Sequence, residues 1–282
     1  VLGLAKKVLV ANTLGQVADR VFGLPAGELT TPLAWLGLAC YTLQIYFDFS
    51  GYSDMAIGLM RMFGFRILEN FNLPYTAQSI REFWRRWHIS LSNWFRDYLY
   101  LPLGGNRCAP ARAWANLVVV FLLCGLWHGA SWPFVIWGAW HGSFLVVERA
   151  GLDRVLARIG TLRHVYTMLA VMGGWVLFRC ETLPQAVDYF AALAGLAGGD
   201  PVRQPLGRHL DAWVATMLVV GVIGASALPR RLGAAILAGA DRRGGVAAVA
   251  LGAELAWLAL LGFAATAWLA AGTYNPFIYF RF

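Results

Sequence analysis

The run AWANLVVVFLLCGLWHGASWPFVIWGAWHGSFLVV, residues 113–147, decides the fold class. It reads as two apolar helices, residues 113–127 and 132–147, joined through His128 and Gly129, with Ser131 placed to cap the second helix and Pro133 in its first turn. Helices of this length cover only about 24 Å, short of a hydrocarbon core of about 30 Å, so the reading predicts a thinned patch of bilayer around the turn. Working outward, residues 32–60, 165–177, 210–228 and 246–271 are further apolar runs, and 32–60 would reach roughly 43 Å as a helix and must tilt. Together they predict an all-α, polytopic transmembrane helical bundle with about six spans.

Composition agrees. Hydrophobic residues make up 59% of the chain and charged ones only 13%, which excludes an ordinary soluble domain. The 23 Lys and Arg against 15 Asp and Glu would suggest nucleic acid in a soluble protein. Here the cations sit between apolar runs: Arg107 and Arg112, then Arg149, Arg154, Arg158 and Arg163, then Arg230, Arg231, Arg242 and Arg243. That spacing predicts cytoplasmic loops facing anionic membrane lipid, with no nucleic-acid partner. The four Cys show no CxxC spacing, so neither a zinc site nor a disulfide framework is expected, and no bound metal. The chain begins at Val1 with no signal-type core. The expectation is a single transmembrane domain over residues 1–282 whose N-terminal spans are missing.

Residues 61–112 are too polar to span and too aromatic to be a solvated loop. Ser79 and Glu82 form a capping box, after which Phe83, Trp84, Trp87, Leu91, Trp94, Phe95 and Tyr98 recur at helical spacing while Arg81, Arg85, Arg86 and Arg96 project elsewhere. One or two short interfacial or re-entrant helices are predicted. By the same spacing His88, four residues after Trp84, turns toward the aromatic face.

His128 sits beside Gly129 in tight apolar surroundings, where a neutral imidazole could take a proton from an attacking hydroxyl or could simply tie two helices together. His88 could contact a substrate or be a packed aromatic-face residue. Buried interhelical hydrogen bonding suffices for His141, near the middle of its helix. Asp48 and Asp54 lie deep in the first long span and must be paired, either in a structural network or on a proton or ion route.

The succession Gln44 to Asp54, then Phe83-Trp84-Arg85-Arg86-Trp87-His88, then Leu126-Trp127-His128-Gly129 resembles the membrane-bound O-acyltransferase family. Within it, the run Arg96 to Arg107 and the closing Phe277, Ile278, Tyr279 and Phe280 resemble the bacterial branch that O-acetylates alginate, next to the branch that exports D-alanine to teichoic acids. The resemblance implies catalytic residues at His128 and His88, with pocket support from Trp87, Arg86, Asp48, Trp127 and His141. It implies a bacterial inner-membrane enzyme that moves an acetyl group from a cytoplasmic thioester, acetyl-CoA or another, with no bound cofactor. The acceptor would be a hydroxyl of a polysaccharide such as alginate in the periplasm, with a periplasmic acetyltransferase as partner. D-alanyl or other acyl transfer to a cell-wall polymer is the alternative. From other classes, a transporter with Asp48, Asp54 and His141 on an ion route, and a scaffold that only recruits enzymes, remain open.

Overall fold

Thirty-two consecutive residues, Thr31–Met62, form the longest helix among the described residues, as the apolar run from Pro32 predicts. The computed structural model describes residues 1–196, 198–241 and 246–272, and among them every regular element is helical. Arg242, Arg243 and the Phe277 to Phe280 run lie outside the described residues. The helices are α1 (Leu2–Ala5), continued through a π-helical turn over Lys6–Ala11 into α2 (Asn12–Phe22), then α3 (Thr31–Met62), α4 (Ile80–Arg86) and α5 (Ile89–Phe95). They are followed by α6 (Pro110–His128), α7 (Trp132–Val147), α8 (Asp153–Arg158), α9 (Leu162–Arg179), α10 (Leu183–Leu193), α11 (Ala212–Ala225), α12 (Leu228–Asp241) and α13 (Val246–Ala270).

By length and composition, α6 and residues 251–270 of α13 could each cross a membrane. A third crossing results if α11 and the first part of α12, bent by 66° at Ser226, count as one broken span. The expected total of about six is therefore not reached on these criteria among the described residues. Two expectations change. Residues 210–228 do not form one straight helix, and α6 runs to 19 residues, about 28 Å, so it is nearly full length and only the 16-residue α7 stays short.

Two compact units divide the described chain. In the first, built from residues 1–17, 43–67 and the described residues from 209 onward, α1 crosses α3 where Gly3 and Gly51 meet. A Cβ on Gly51 would lie 2.7 Å from the Gly3 carbonyl oxygen, so only glycine permits this approach. The close crossing carries Lys6 and Lys7 onto α3, where Lys7 pairs with Asp48 and Lys6 Nζ donates to Asp54 Oδ2 at 2.7 Å. Asp48 is 1% exposed, and burying that carboxylate is tolerable only with the ammonium beside it. The pairing predicted for both carboxylates is thus observed.

In the second unit, residues 18–42 and 68–208, α6 and α7 form a tight antiparallel hairpin. Gly125, Gly138 and Gly142 line the contact, with Gly125 against the Phe134 backbone and Gly138 against that of Phe121. The α9 helix packs on α7, where Trp140 Nε1 donates to the Ala170 carbonyl at 2.8 Å and Gly173 accommodates the Trp140 ring. On α2 and α9, Asp19 pairs with Arg179 at 2.7 Å.

Candidate functional site

A buried carboxylate sets the frame of the site. Glu148, 0% exposed in the widened turn that follows α7, accepts the Ile80 N–H at 2.6 Å through Oε1 and the Arg81 N–H at 3.1 Å through Oε2. It thereby satisfies two free donors at the start of α4. Ser79 Oγ accepts the Glu82 N–H at 3.0 Å, and Glu82 Oε2 reaches back to the Gln78 N–H at 2.8 Å, one residue before the cap position expected for its partner. Burial pushes the Glu148 carboxyl above the usual carboxylate range, and the two backbone donors pull it partly back.

The α4 helix stops at Arg86, and His88 takes the left-handed conformation at φ 45° before α5 begins. His88 therefore does not share a helix face with Trp84 as the i to i+4 spacing predicts, because no single helix joins them. The corner is held from outside. Asn70 accepts the Ile89 N–H through its carbonyl and Ser90 through its side chain, and Asn72 N–H donates to the Arg86 carbonyl. A non-glycine residue in this conformation costs about 1 kcal/mol or more, so the surroundings impose it. His88 is half-buried, and burial pushes its imidazole down to about 4, so it is neutral at pH 7.

His128 ends α6. Its ring stands edge-on to Trp127, Trp137 and Phe178, with centroids 4.8, 5.2 and 5.0 Å away, and is half-buried. Trp87, beside His88, meets Trp175 at 4.9 Å, and Trp175 meets Phe178 at 5.8 Å, so one aromatic cluster runs from the residue before His88 to the ring of His128. Ser131 occupies the N-cap position of α7, but its side chain makes no capping bond.

Among the expected supporting residues, Trp87 packs into an aromatic core with Phe83 and Trp175. Arg86 is spent on Glu82 and the Asn72 carbonyl, and Trp127 is 55% exposed. Asp48 belongs to the first unit, in its ion pair with Lys7. His141 is fully buried, yet both ring nitrogens find no hydrogen-bond partner among the described residues, which overturns the expected interhelical bonds.

A cavity of about 780 Å³ opens beside these elements. Arg81, Arg85 and Arg96 are exposed at its wall together with half-buried Arg149, whereas Val120 and Cys124 line it from the buried side. Trp84 borders it as well. The cavity, the arginine cluster and Glu148 were not legible as a site, because residues 81, 96 and 149 meet only after folding. Among the described residues no three His, Cys, Asp or Glu side chains converge as metal ligands.

The profile of the membrane-bound O-acyltransferase family matches residues 28–180, which include every element of this site. The chain belongs to that family. It is 45% identical to a probable alginate O-acetylase AlgI of Azotobacter vinelandii over 99% of this chain and 60% of the relative. It is also 43% identical to a peptidoglycan O-acetyltransferase of Helicobacter pylori over 70% of this chain and 38% of the relative. A teichoic acid D-alanyltransferase of Bacillus subtilis is 36% identical over 34% of this chain and 26% of the relative. The chain thus spans about 60% of the length of the first of these relatives, and it is a membrane protein of the family's alginate O-acetylation branch.

Proposed function

We propose that the full protein is an O-acyltransferase of the bacterial inner membrane that moves an acetyl group from a cytoplasmic thioester toward hydroxyls of an exopolysaccharide such as alginate in the periplasm. The observation that carries this reading is the cavity whose exposed wall holds arginines and whose buried wall is apolar, running along α6, the helix that His128 closes. Arginine forks suit a phosphate-bearing head, and apolar walls suit an uncharged arm ending in a thioester, so acetyl-CoA or another phosphorylated acyl thioester is the donor. His128 is the general base or first receives the acyl group, and neutral His88 faces the same reaction.

In the general-base route the acceptor oxygen bonds to the thioester carbonyl carbon, its proton passes to His128, and the carbonyl π pair moves onto oxygen. As the carbonyl re-forms, the carbon–sulfur bond breaks and the thiolate leaves with the proton from His128. A periplasmic acetyltransferase then completes delivery to polymer. The family likeness to a teichoic acid D-alanyltransferase keeps D-alanyl transfer as the second reading, over a smaller share of the chain.

The test replaces His128 by Ala, and separately His88 by Ala, in the full-length protein and measures polymer O-acetylation at matched membrane abundance. Loss with His128→Ala and a deep reduction with His88→Ala are expected. Undiminished acetylation in His128→Ala removes that imidazole from the mechanism. Proton-coupled uptake by purified protein in liposomes, without acyl transfer from any thioester, would instead establish a transporter.

A further inference from the structure

Three rings at and behind the cavity wall carry polar nitrogens that find no partner among the described residues. Trp84 borders the cavity, and its ring is 5.0 Å from that of His141 and 5.7 Å from that of Trp137. The Trp137 and His141 rings are 5.2 Å apart, and Trp137 stands edge-on to His128 at the same distance. Trp84 Nε1, Trp137 Nε1 and both nitrogens of His141 are buried with no hydrogen-bond partner among the described residues. His141 is 0% exposed and Trp137 1%.

Such a group is unusual. A buried donor without an acceptor costs stability, and native proteins leave few of them. Indole and imidazole rings cannot swing a hydrogen toward a distant carbonyl as a hydroxyl can. The close fit of α9 makes the placement specific, since a Cβ on Gly174 would lie 2.5 Å from His141 Nε2. Two indole N–H groups are donors only, and a neutral imidazole adds one more. Because Nε2 lies against Gly174, Nδ1 is the nitrogen of His141 left for a ligand, and with its proton there the three rings offer three donors, which ask for an oxygen rich in lone pairs.

We infer that Trp84, Trp137 and His141 form an oxygen-binding site that takes the carbonyl oxygen of the transferred acyl group and holds the negative charge that oxygen gains as the hydroxyl attacks. This deepens the acyl-transfer reading and rests on it. The site lies between the cavity that would bring the thioester and the His128 ring that would take the hydroxyl proton, through one aromatic contact on each side. Preorganised donors in a water-excluded pocket are worth most where charge develops.

The experiment uses the full-length protein in proteoliposomes with acetyl-CoA as donor and S-ethyl-CoA, a thioether without the carbonyl, as the binding probe. Trp84→Phe and Trp137→Phe each keep an aromatic ring and lose the N–H. Benzothienylalanine at position 84 keeps the bicyclic shape and puts sulfur in place of N–H, which controls for packing. Each of these changes is expected to lower kcat by about 100-fold or more with KM nearly unchanged. Affinity for S-ethyl-CoA should stay at the native value, because the missing bond concerns the carbonyl alone. Native kcat in the benzothienylalanine protein and in Trp137→Phe overturns the inference, as does a parallel loss of thioether binding, which would mark a packing role. No acyl transfer from acetyl-CoA by the native protein would sink the acyl-transfer reading itself, whereas native transfer beside unaffected indole variants would sink only this site.

Discussion

Replacing Glu148 by Ala should release α4 from the rest of its unit. The carboxylate accepts two backbone N–H groups at 2.6 and 3.1 Å, at a residue that water does not reach. Hydrogen bonds to an ionised partner contribute about 1.5–3 kcal/mol each, and stranding both donors forfeits roughly 3–6 kcal/mol. Because α4 has only seven residues, the loss should appear as local opening. Hydrogen–deuterium exchange of the amides of residues 80–86 in detergent reads it directly, and the loss converts to faster exchange by roughly 10²- to 10⁴-fold. Glu148→Gln keeps an oxygen for the Ile80 N–H and turns a donor toward the Arg81 N–H, so it should fall between. Burial raises the carboxyl above its ordinary value, so its stabilising share is fully present below about pH 4.5 and declines as pH rises through the raised value. Mild acid should therefore leave the latch closed. Exchange in Glu148→Ala within about 3-fold of native would refute the reasoning, since that difference is under 1 kcal/mol.

Three further outcomes are expected. The His88 imidazole, neutral because burial holds it near 4, favours the fold above about pH 6.5; that share is lost as pH falls through 4, by about 3 kcal/mol, and thermal melts of His88→Gln should lack this acid-side decline. Lys7→Met leaves Asp48 buried without its cation and should cost about 3–5 kcal/mol, whereas the double change with Asp48→Leu should recover most of the melting temperature. An unchanged melt in Lys7→Met would mean that the ion pair contributes nothing. Gly138→Ala drives a Cβ into the Phe121 backbone and should lower stability by about 1–3 kcal/mol, while Gly27→Ala, with open space around it, should melt like the native protein.

The elements most legible in the sequence are those fixed by local chemistry. Ser79 and Glu82 announced the start of α4, and the short helices α4 and α5 follow from the aromatic spacing after them. The pairing of Asp48 and Asp54 followed from the cost of an unpaired carboxylate between apolar residues, although which lysines would answer them depended on the Gly3–Gly51 crossing. The break at His88 was hidden, because no Gly or Pro marks the corner and Asn70 and Asn72 impose it from a distant loop. At α10 the signal was present and went unread. Thr182 caps the Gln185 N–H and Gln185 reaches back to the Glu181 N–H, a capping pattern readable from local spacing alone. Glu148 was illegible in principle, since its partners lie 67 and 68 residues away.

Among the described residues, four carboxylates that folding removes wholly or partly from water each have a partner. Asp48 has Lys7, Asp54 has Lys6, Asp19 has Arg179, and Glu148 has two backbone donors and the Tyr166 hydroxyl at 3.4 Å. Single neutral atoms are left over in the first unit, at Gln44 Oε1, Ser50 Oγ and Ser53 Oγ. Hydroxyls and a flexible amide can turn toward a helix carbonyl or a passing water at little cost. The nitrogens of Trp84, Trp137 and His141 have no such freedom, because each ring is wedged against other aromatic rings and, for His141, against Gly174. Apolar side chains of similar size would pack there without the unmet donors, so stability alone does not explain why polar rings occupy all three positions. A ligand oxygen that arrives during turnover would supply the missing acceptor, and the strength it gains from waiting, dry donors is the reason to hold them unpaired until then.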